Sequence, residues 1–390
     1  MTGTDSSKSI KEIVVVSIGV GNHLTELKIG IAEYLQAHRG FYIYHLNVDN
    51  MDDAKFATAL SRSKCHGIIS NTYRPQRIAM LREKGVPFVD LTGNLEDDDY
   101  VVSVDHDPAK IGRLAAESFL RRGFTNFAYV YADLTDFSKK MMGAFRQHVE
   151  NAGCKCIALD PAGTEPGSRV ITKLLDQWIA TLPPHTALFC ANDWRAESAL
   201  FSCLKAGRIV PDEIAIMGVD NDIPRCLGAA VPLSSIDPNW RGLGYAAMRI
   251  MAHILEHPVK PKKRPVFRVP PRGIVERKST AIYPVNPPWL ANALALLDTK
   301  MDQPLSAADL ATAAGVSQTA LQEAFHKTFG TSAGKYILSV KMREAQRLVN
   351  DGYLSVKEMA ARLGYSSQSY FCRAYSSYYG RPPSKARGNS

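Results

Sequence analysis

Apolar runs of strand length alternate with amphipathic stretches of helical spacing from residue 11 to about residue 280. Residues 13–18 are almost uniformly apolar, which predicts a strand buried on both faces. Ile111, Leu114, Ala115, Ser118 and Phe119 follow the i, i+3, i+4, i+7, i+8 spacing of a helix that buries one face. This alternation predicts an α/β fold with parallel sheets covered by helices, and its length of about 270 residues indicates two lobes.

A different pattern occupies the last part of the chain, where one unit occurs twice. The shared features are an apolar helix start, a turn with glycine and serine, and a second helix with large apolar residues about every four positions. The first copy has Leu305, Leu310, Gly315, Ser317, Leu321, Phe325 and Phe329, and the second has Leu354, Met359, Gly364, Ser366, Phe371, Tyr375 and Tyr379. Two helices joined by such a turn predict a helix-turn-helix, whose second helix can enter a DNA major groove.

Local signals support both copies. Ser355 and Glu358 form the S-x-x-E pattern of a capping box, and Ser306 and Asp309 form a weaker version. Glycine in each turn suits the left-handed conformation that ends many helices. Ser317, and Ser366 or Ser367, are placed to cap the second helices. The alternative is a helical hairpin repeat with a solvated polar face, and the doubling of an intact turn favours the DNA-binding interpretation.

Charge follows the same division. The chain carries 47 Lys and Arg against 38 Asp and Glu, a formal net charge of +9. Residues 285–390 hold 12 basic and 7 acidic side chains, whereas the 284 residues before them hold 35 and 31. The excess of positive charge is therefore densest where the helix-turn-helix pair is predicted, as attraction to phosphates requires.

The segment from about residue 287 to 385 resembles the AraC/XylS family of transcription regulators. Residues 364–375, which read GYSSQSYFCRAY, and residues 379–383, YGRPP, are similar to the signature of that family. The resemblance implies base-facing positions on both recognition helices, at Thr319, Gln322 and Glu323 on the first and Gln368, Ser369, Cys372 and Arg373 on the second. Glu323 departs from the basic residue that the family often has there. A carboxylate does not hold a phosphate or guanine, which makes the second helix the stronger candidate for base contact.

Catalytic and cofactor motifs are weak in the first 280 residues. Gly19-Val20-Gly21 lies between a predicted strand and helix, but Leu24 stands where a dinucleotide fingerprint has its third glycine, so we expect no cofactor. His106 between Asp105 and Asp107 is interpreted as a solvated loop. The seven cysteines have no metal-binding spacing and are expected to be reduced thiols, with no metal site and no catalytic set. No signal peptide or membrane span is predicted.

The first 280 residues also resemble the sugar-binding core shared by periplasmic binding proteins and LacI-type repressors. The resemblance rests on residues 102–107 (VSVDHD), 189–193 (FCAND), 210–221 (VPDEIAIMGVDN) and 271–279 (PRGIVERKS). It implies a ligand site between the lobes, with Asp105, Lys140, Asn192, Asp193, Asp220 and Asn221 as candidate contacts. Lys140, or Lys139, stands where the family has a clamping arginine. For Asp105 and Asn221, turn or cap chemistry is an equal alternative.

These patterns predict the following layout. Residues 1–10 form a flexible N-terminus, 11–283 the sensor, 284–289 a proline-rich linker and 290–390 the DNA-binding domain. Lobe 1 is assigned to about 11–131 and 238–257, and lobe 2 to about 132–237 and 264–280. The two helix-turn-helix units are assigned to about 305–330 and 354–380. A basic run from Lys260 to Lys278 precedes the linker, with a solvated surface and a phosphate contact as equal interpretations.

A LacI-like sensor placed before an AraC-type domain resembles regulators of pentose catabolic operons. The resemblance implies a small sugar effector, D-xylose or a related pentose, and double-stranded operator DNA as partners. We expect a cytoplasmic homodimer that acts as an activator, does not bind membranes and is not an enzyme. The alternatives are a sugar-binding transport or sensory component, and a sugar-modifying enzyme with a helical accessory domain.

Overall fold

The structure is a computed structural model, and it describes residues 10–17, 21–49, 51–62, 64–72, 74–93, 95, 101–131, 136–159, 169–257, 266–351 and 354–386. The flexible N-terminus predicted for residues 1–10 falls almost entirely outside the described residues, as do Lys260, Lys262, Lys263 and Arg264 of the basic run.

Lobe 1 is a six-stranded parallel sheet in the order β11-β5-β4-β3-β1-β2. Its strands are β1 (Lys11–Ser17), β2 (Phe41–Asn47), β3 (Gly67–Ser70), β4 (Phe88–Asp90), β5 (Val101–His106) and β11 (Val266–Val269). Its helices are α1 (Asn22–Ala37), α2 (Asp53–Arg62), α3 (Pro75–Glu83) and α9 (Trp240–Glu256). The apolar run at 13–16 is fully buried because helices cover both faces of the sheet, as its uniform hydrophobicity predicted.

Lobe 2 is a second six-stranded sheet in the order β12-β10-β9-β8-β6-β7. Its strands are β6 (Asn126–Val130), β7 (Lys155–Leu159), β8 (Thr186–Cys190), β9 (Ile214–Val219), β10 (Ser234–Asp237) and β12 (Gly273–Val275). Its helices are α4 (Pro108–Arg121), α5 (Asp136–Asn151), α6 (Arg169–Thr181), α7 (Asp193–Lys205) and α8 (Ile223–Gly228), with a short 3-10 helix at Lys278–Thr280. All pairs are parallel except β10 with β12.

The boundary between the lobes differs from the predicted one. The prediction kept residues up to 131 in lobe 1, but β6 pairs with β7 and β8, and α4 packs on α5, so both belong to lobe 2. Conversely, β11 pairs with β5 and belongs to lobe 1, although 264–280 had been assigned to lobe 2. The chain therefore crosses between the lobes at 106–108, 237–240 and 269–273.

The C-terminal domain consists of helices only: α10 (Leu290–Thr299), α11 (Ala307–Ala314), α12 (Gln318–Phe329), α13 (Ala333–Asp351), α14 (Val356–Arg362), α15 (Gln368–Tyr379) and α16 (Pro383–Ala386). Both capping boxes are confirmed, at Ser306 before α11 and Ser355 before α14. Gly315 and Gly364 each have a φ of +68°, as the turns require. Ser317 caps α12, and of the two serines proposed for α15 it is Ser367 that caps it.

Each helix-turn-helix unit has its own core, and α13 joins the two. One core contains Leu321 and Phe325, and the other contains Phe371 and Tyr375. Lys341 on α13 is buried, and its Nζ donates to the carbonyl oxygens of Gln303 at 2.7 Å and Leu363 at 2.8 Å. These bonds fasten the loop before α11 to the turn after α14, which fixes one unit relative to the other.

The proline-rich segment is packed rather than free. Tyr283 and Val285 contact the core of the first helix-turn-helix unit, and the Tyr283 hydroxyl donates to Asp298 on α10. The C-terminal domain therefore starts at about residue 283, just before the predicted linker, because Tyr283 and Val285 complete its core whereas Ile282 still packs on lobe 2. Among the described residues, no helix has the length and hydrophobicity needed to cross a membrane.

Candidate functional site

The cleft between the lobes is centred on Trp240, at the crossover into α9. Its indole Nε1 donates to Asp220 Oδ1 of lobe 2 at 3.4 Å. Its ring contacts the rings of His106 and His23 of lobe 1, with centroids 4.5 Å and 5.1 Å away. Trp240 thus contacts functional groups of both lobes, and it presents an aromatic surface where the carboxyl ends of parallel strands meet, the usual place for a ligand in such sheets.

Asp220 supplies the central carboxylate of the cleft. It follows β9 with a φ of +106°, which turns the backbone and directs the side chain toward Trp240. Burial, followed by the negative charge of Asp193, raises the pKa of Asp220 well above its ordinary value. No ion-pair partner lies within 4 Å of Asp220 among the described residues. A carboxylate buried in this way is stabilised by a ligand that donates hydrogen bonds, such as a polyol.

Asn192 and Asp193 lie beside Asp220 but make contacts within the protein. Asn192 caps α7, its Oδ1 accepting from the backbone N–H of Arg195 at 2.9 Å. Asp193 is only 1% exposed, and its Oδ2 accepts from the backbone N–H of Asp222 at 2.8 Å. Burial raises the pKa of Asp193 to about 6. Asp193 therefore holds the loop that carries Asp220 and Asp222, and its direct contact with a ligand stays a prediction.

Asp105 and Asn221 each contact an arginine within the sensor, and their contact with a ligand stays a prediction. Asp105 Oδ2 pairs with Arg268 at 2.8 Å, and burial raises the pKa of Asp105 to about 7. Asn221 has a φ of +50°, and its Oδ1 accepts from Arg277 at 2.7 Å. Arg268 and Arg277 of the predicted basic run are thus engaged inside the sensor, while Lys140 is exposed on α5, next to residues 132–135, which lie outside the described residues.

Three further groups border the cleft that sequence reasoning did not select: His23, His106 and Asp222. His106 is 4% exposed, so its interpretation as a solvated loop is wrong. It ends β5, where all six residues are buried, and burial lowers its pKa to about 3. A Cβ at Gly21 would lie 3.1 Å from Asp222 Oδ2, so the N-terminus of α1 approaches lobe 2 closely. The sequence did contain a signal for the burial of His106, because this residue lies at the end of β5, a strand that begins with apolar residues.

The first recognition helix, α12, has a mixed outer face. Thr319 and Glu323 are exposed, as predicted. Gln322 is half-buried, and its Oε1 accepts from the backbone N–H of Ala333 at 3.0 Å, which caps α13. Its Oε1 is thus engaged within the domain while its amide NH2 is not part of this bond, and base contact by Gln322 stays a prediction.

The second recognition helix, α15, offers a more suitable surface. Gln368, Ser369 and Arg373 are exposed, while Cys372 is half-buried against the core of its unit. Tyr370, which sequence reasoning missed, is 55% exposed, with the Arg373 guanidinium 6.0 Å from its ring centroid. Arginine is the commonest specific reader of guanine, and an exposed ring beside it can contact a thymine methyl group or a phosphate.

Comparison with known proteins assigns both parts of the chain. Residues 116–280 match the family of periplasmic binding protein-like domains, and residues 310–389 match a helix-turn-helix domain family. The first segment covers lobe 2 from the middle of α4 onward, together with α9 and β11 of lobe 1. The second segment begins within α11 and includes the helices that follow it.

Relatives with the same layout extend over nearly the whole chain. The xylose operon regulatory protein of Escherichia coli (strain K12) is 25% identical over 370 residues, covering 92% of each chain. That of Haemophilus influenzae is 21% identical, covering 92% of this chain and 94% of its own. A solved structure of a xylose-binding transcription activator has the same fold, with a TM-score of 0.60, 22% identity and coverage of 96% and 97%. The chain is therefore a transcription regulator built like the xylose operon regulatory proteins, with a periplasmic binding protein-like sensor domain followed by an AraC-type helix-turn-helix domain.

Proposed function

We propose that this regulator binds a neutral pentose, D-xylose or a close relative, between the lobes of its sensor. The observation that carries the proposal is the pairing of Asp220 with Trp240 at the crossover, with Asp222 and His23 beside them. Two carboxylates and an indole face the cleft, and sugar hydroxyls can donate to the former while the ring packs on the latter. An anionic sugar acid is disfavoured here, because burial and the negative charge of Asp193 already raise the pKa of Asp220, so the site disfavours negative charge.

Sugar binding then controls transcription by changing the angle between the lobes. The ligand contacts both lobes, so it favours the closed arrangement by its differential affinity. We propose that a homodimer presents its helix-turn-helix pairs to paired operator sites, that closure increases operator affinity, and that the protein acts in the cytoplasm as an activator of a pentose catabolic operon. Its role is to bind and to regulate rather than to catalyse.

A thermal-shift panel of sugars tests the ligand. D-xylose should raise the melting temperature by mass action, while D-xylonate and D-gluconate at equal concentration should not. L-arabinose and D-ribose measure how narrow the selectivity is. A shift with a sugar acid that exceeds the shift with every neutral pentose would contradict the proposal.

A fragment comprising residues 281–390 is expected to bind DNA on its own. It retains Tyr283 and Val285, which complete the core of the first unit, and a start at residue 290 would remove them. Binding should weaken by about 10³-fold or more between roughly 50 and 200 mM salt, as phosphate contacts release counterions. Fluorescence anisotropy with the region upstream of its own operon measures this, and salt-independent binding would contradict it.

Arg373→Ala is expected to weaken binding to the cognate site by about 1–3 kcal/mol and to relax preference at one base pair. Glu323→Ala should have a smaller effect, because a carboxylate near phosphates contributes little to binding. Hydroxyl-radical footprinting should show two protected grooves about 10 base pairs apart per subunit on one face of the duplex. A single protected groove, together with full affinity of Arg373→Ala, would leave α12 as the only reader.

A further inference from the structure

A second cavity, separate from the cleft, lies between lobe 2 and the C-terminal domain. Its volume is about 1010 Å³, comparable with sites that hold small organic ligands. One wall is formed by α4 and the strand β12 of the sensor. The other is formed by residues of α10, α13, the end of α14 and the C-terminal end of α15. Any molecule bound here would contact both domains at once.

The charges that line this cavity are not balanced. Four of its carboxylates already have cationic partners: Glu276 pairs with Arg121 and Arg122, Asp298 with Arg122, Glu344 with Arg347, and Glu117 with His148. Three arginines of the lining, Arg113 on α4, Arg343 on α13 and Arg362 at the end of α14, have no carboxylate within 4 Å in the part of the chain that the structure describes. Arg113 and Arg362 are exposed and Arg343 is half-buried, with Glu117 near it but not paired to it, so the cavity contains guanidinium groups that no carboxylate contacts directly.

Two buried polar groups at the same place lack hydrogen-bond partners. Ser118 is 2% exposed, and its Oγ has no partner among the described residues. The Nε of Arg343 has none either. Burial, followed by the positive charge of nearby Arg121, lowers the pKa of Arg343, so two cations lie close together here. Unsatisfied buried donors are costly, and both of these residues lie in the wall of the cavity.

We propose that this cavity binds a small phosphorylated metabolite, held by Arg343 and Arg113. Arginine suits this ligand because its planar fork donates two parallel hydrogen bonds to phosphate oxygens. A ligand that joins α4 to α13 fixes the DNA-binding domain on lobe 2. It would thus act as a second effector that adjusts the response to sugar without entering the sugar cleft.

The test uses the full-length protein with inorganic phosphate and glycerol 3-phosphate as probes. Thermal shift and calorimetry are run at constant ionic strength, with sodium chloride as the salt control and glycerol as the uncharged-ligand control. Both anions should raise the melting temperature, and glycerol 3-phosphate should bind more tightly. Arg343→Gln and Arg113→Gln should each weaken binding about tenfold or more, since each removes a charge-assisted contact. Arg249→Gln, an exposed arginine on α9 of lobe 1, should bind like the unaltered protein.

Several outcomes would overturn the proposal. One is the absence of any anion-specific shift, and another is an equal shift in Arg343→Gln and Arg113→Gln. Loss of the effect in Arg373→Gln, with Arg343→Gln unchanged, would place the anion on the DNA-reading surface instead. The two cavity variants lie on different domains, so misfolding of one leaves the other to decide. The response to D-xylose is measured on the same samples, which separates failure of this site from failure of the sugar site.

Discussion

Asp220→Ala abolishes the sugar response while the ligand-free protein keeps its affinity for DNA: this is the expected result of removing the central carboxylate of the cleft. Loss of a charged hydrogen-bonding partner to a buried hydroxyl costs about 1.5–3 kcal/mol, which weakens sugar binding tenfold or more. Asp220 belongs to lobe 2 and α15 to the C-terminal domain, so the DNA-reading residues stay as they are. Calorimetry with D-xylose and anisotropy with operator DNA measure the two effects.

The Asp220 side chain is also expected to lower the stability of the folded protein at neutral pH in the absence of sugar. The folded state raises the pKa of Asp220, and it raises those of Asp193 to about 6 and Asp105 to about 7. Groups with raised pKa values stabilise the fold while protonated, so this stability is complete below about pH 4 and is lost as the pH rises through 6 to 7. Asp220→Asn should therefore raise the melting temperature of the ligand-free protein at pH 7.5 and remove its increase with sugar.

Asp212→Asn is the matched control, because Asp212 is an exposed carboxylate of lobe 2 far from Trp240. It should leave both the melting temperature and the sugar response unchanged. Unaltered sugar affinity in Asp220→Ala would remove this residue from the binding site. A decrease in ligand-free stability in Asp220→Asn would show that its carboxylate is stabilised by the protein rather than reserved for a ligand.

Features set by a few neighbouring residues were predictable from the sequence. The capping boxes at Ser306 and Ser355 and the left-handed glycines at 315 and 364 depend on hydrogen bonds and backbone angles within one turn, so a short pattern specifies them. The alternation of strands and helices similarly predicted two lobes with parallel sheets.

Features set by pairing across the chain were not predictable in this way. The transfer of β6 to lobe 2 and of β11 to lobe 1 depends on which strand each one pairs with, and periodicity does not contain that information. Gln322 has the spacing of a base-facing residue, yet it caps α13 because the turn at Ser332 brings that helix within reach. The place of Trp240 in the cleft could not be predicted either, because it depends on where the second crossover, at 237–240, enters lobe 1.

The junction between sensor and DNA-binding domain is built around Arg122, which is 3% exposed. Its guanidinium pairs with Glu276 of the sensor and with Asp298 of α10 at 3.3 Å, and it lies 4.9 Å from the ring centroid of Tyr283. The Tyr336 hydroxyl of α13 also donates to the carbonyl oxygen of Arg121 at 2.7 Å. These contacts make the first helix-turn-helix unit move with lobe 2.

Helix α4 connects this junction to the cleft. It begins at the Asp107 cap, directly after His106, and ends at Arg121, about 21 Å away for its 14 residues. The N-terminal end of α4 therefore borders the crossover that bends when the lobes close, and its C-terminal end holds the DNA-binding domain. We therefore propose that a change in lobe angle is transmitted to that domain through a packed helix.

Asp298→Ala is expected to uncouple the two domains. It removes the partner that α10 offers to Arg122, while lobe 2 keeps Glu276 and the sugar cleft is untouched. Sugar affinity should stay unchanged, and the 5- to 150-fold effect of sugar on operator affinity, typical of coupling free energies of about 1–3 kcal/mol, should fall toward unity. Arg122→Ala should also destabilise the protein, because Asp298 loses its cationic partner and Glu276 keeps only Arg121, at 3.6 Å.

A double-mutant cycle separates coupling from general destabilisation. Arg122→Ala, Asp298→Ala and the double variant are compared in sugar affinity, operator affinity with and without sugar, and melting temperature. If the two residues act as one junction, the double variant loses no more sugar-dependent operator binding than Asp298→Ala alone, and the interaction free energy lies at about 0.5–3 kcal/mol. A sugar effect that survives intact in Asp298→Ala would mean that lobe closure reaches DNA by another route, with α10 only resting on the sensor.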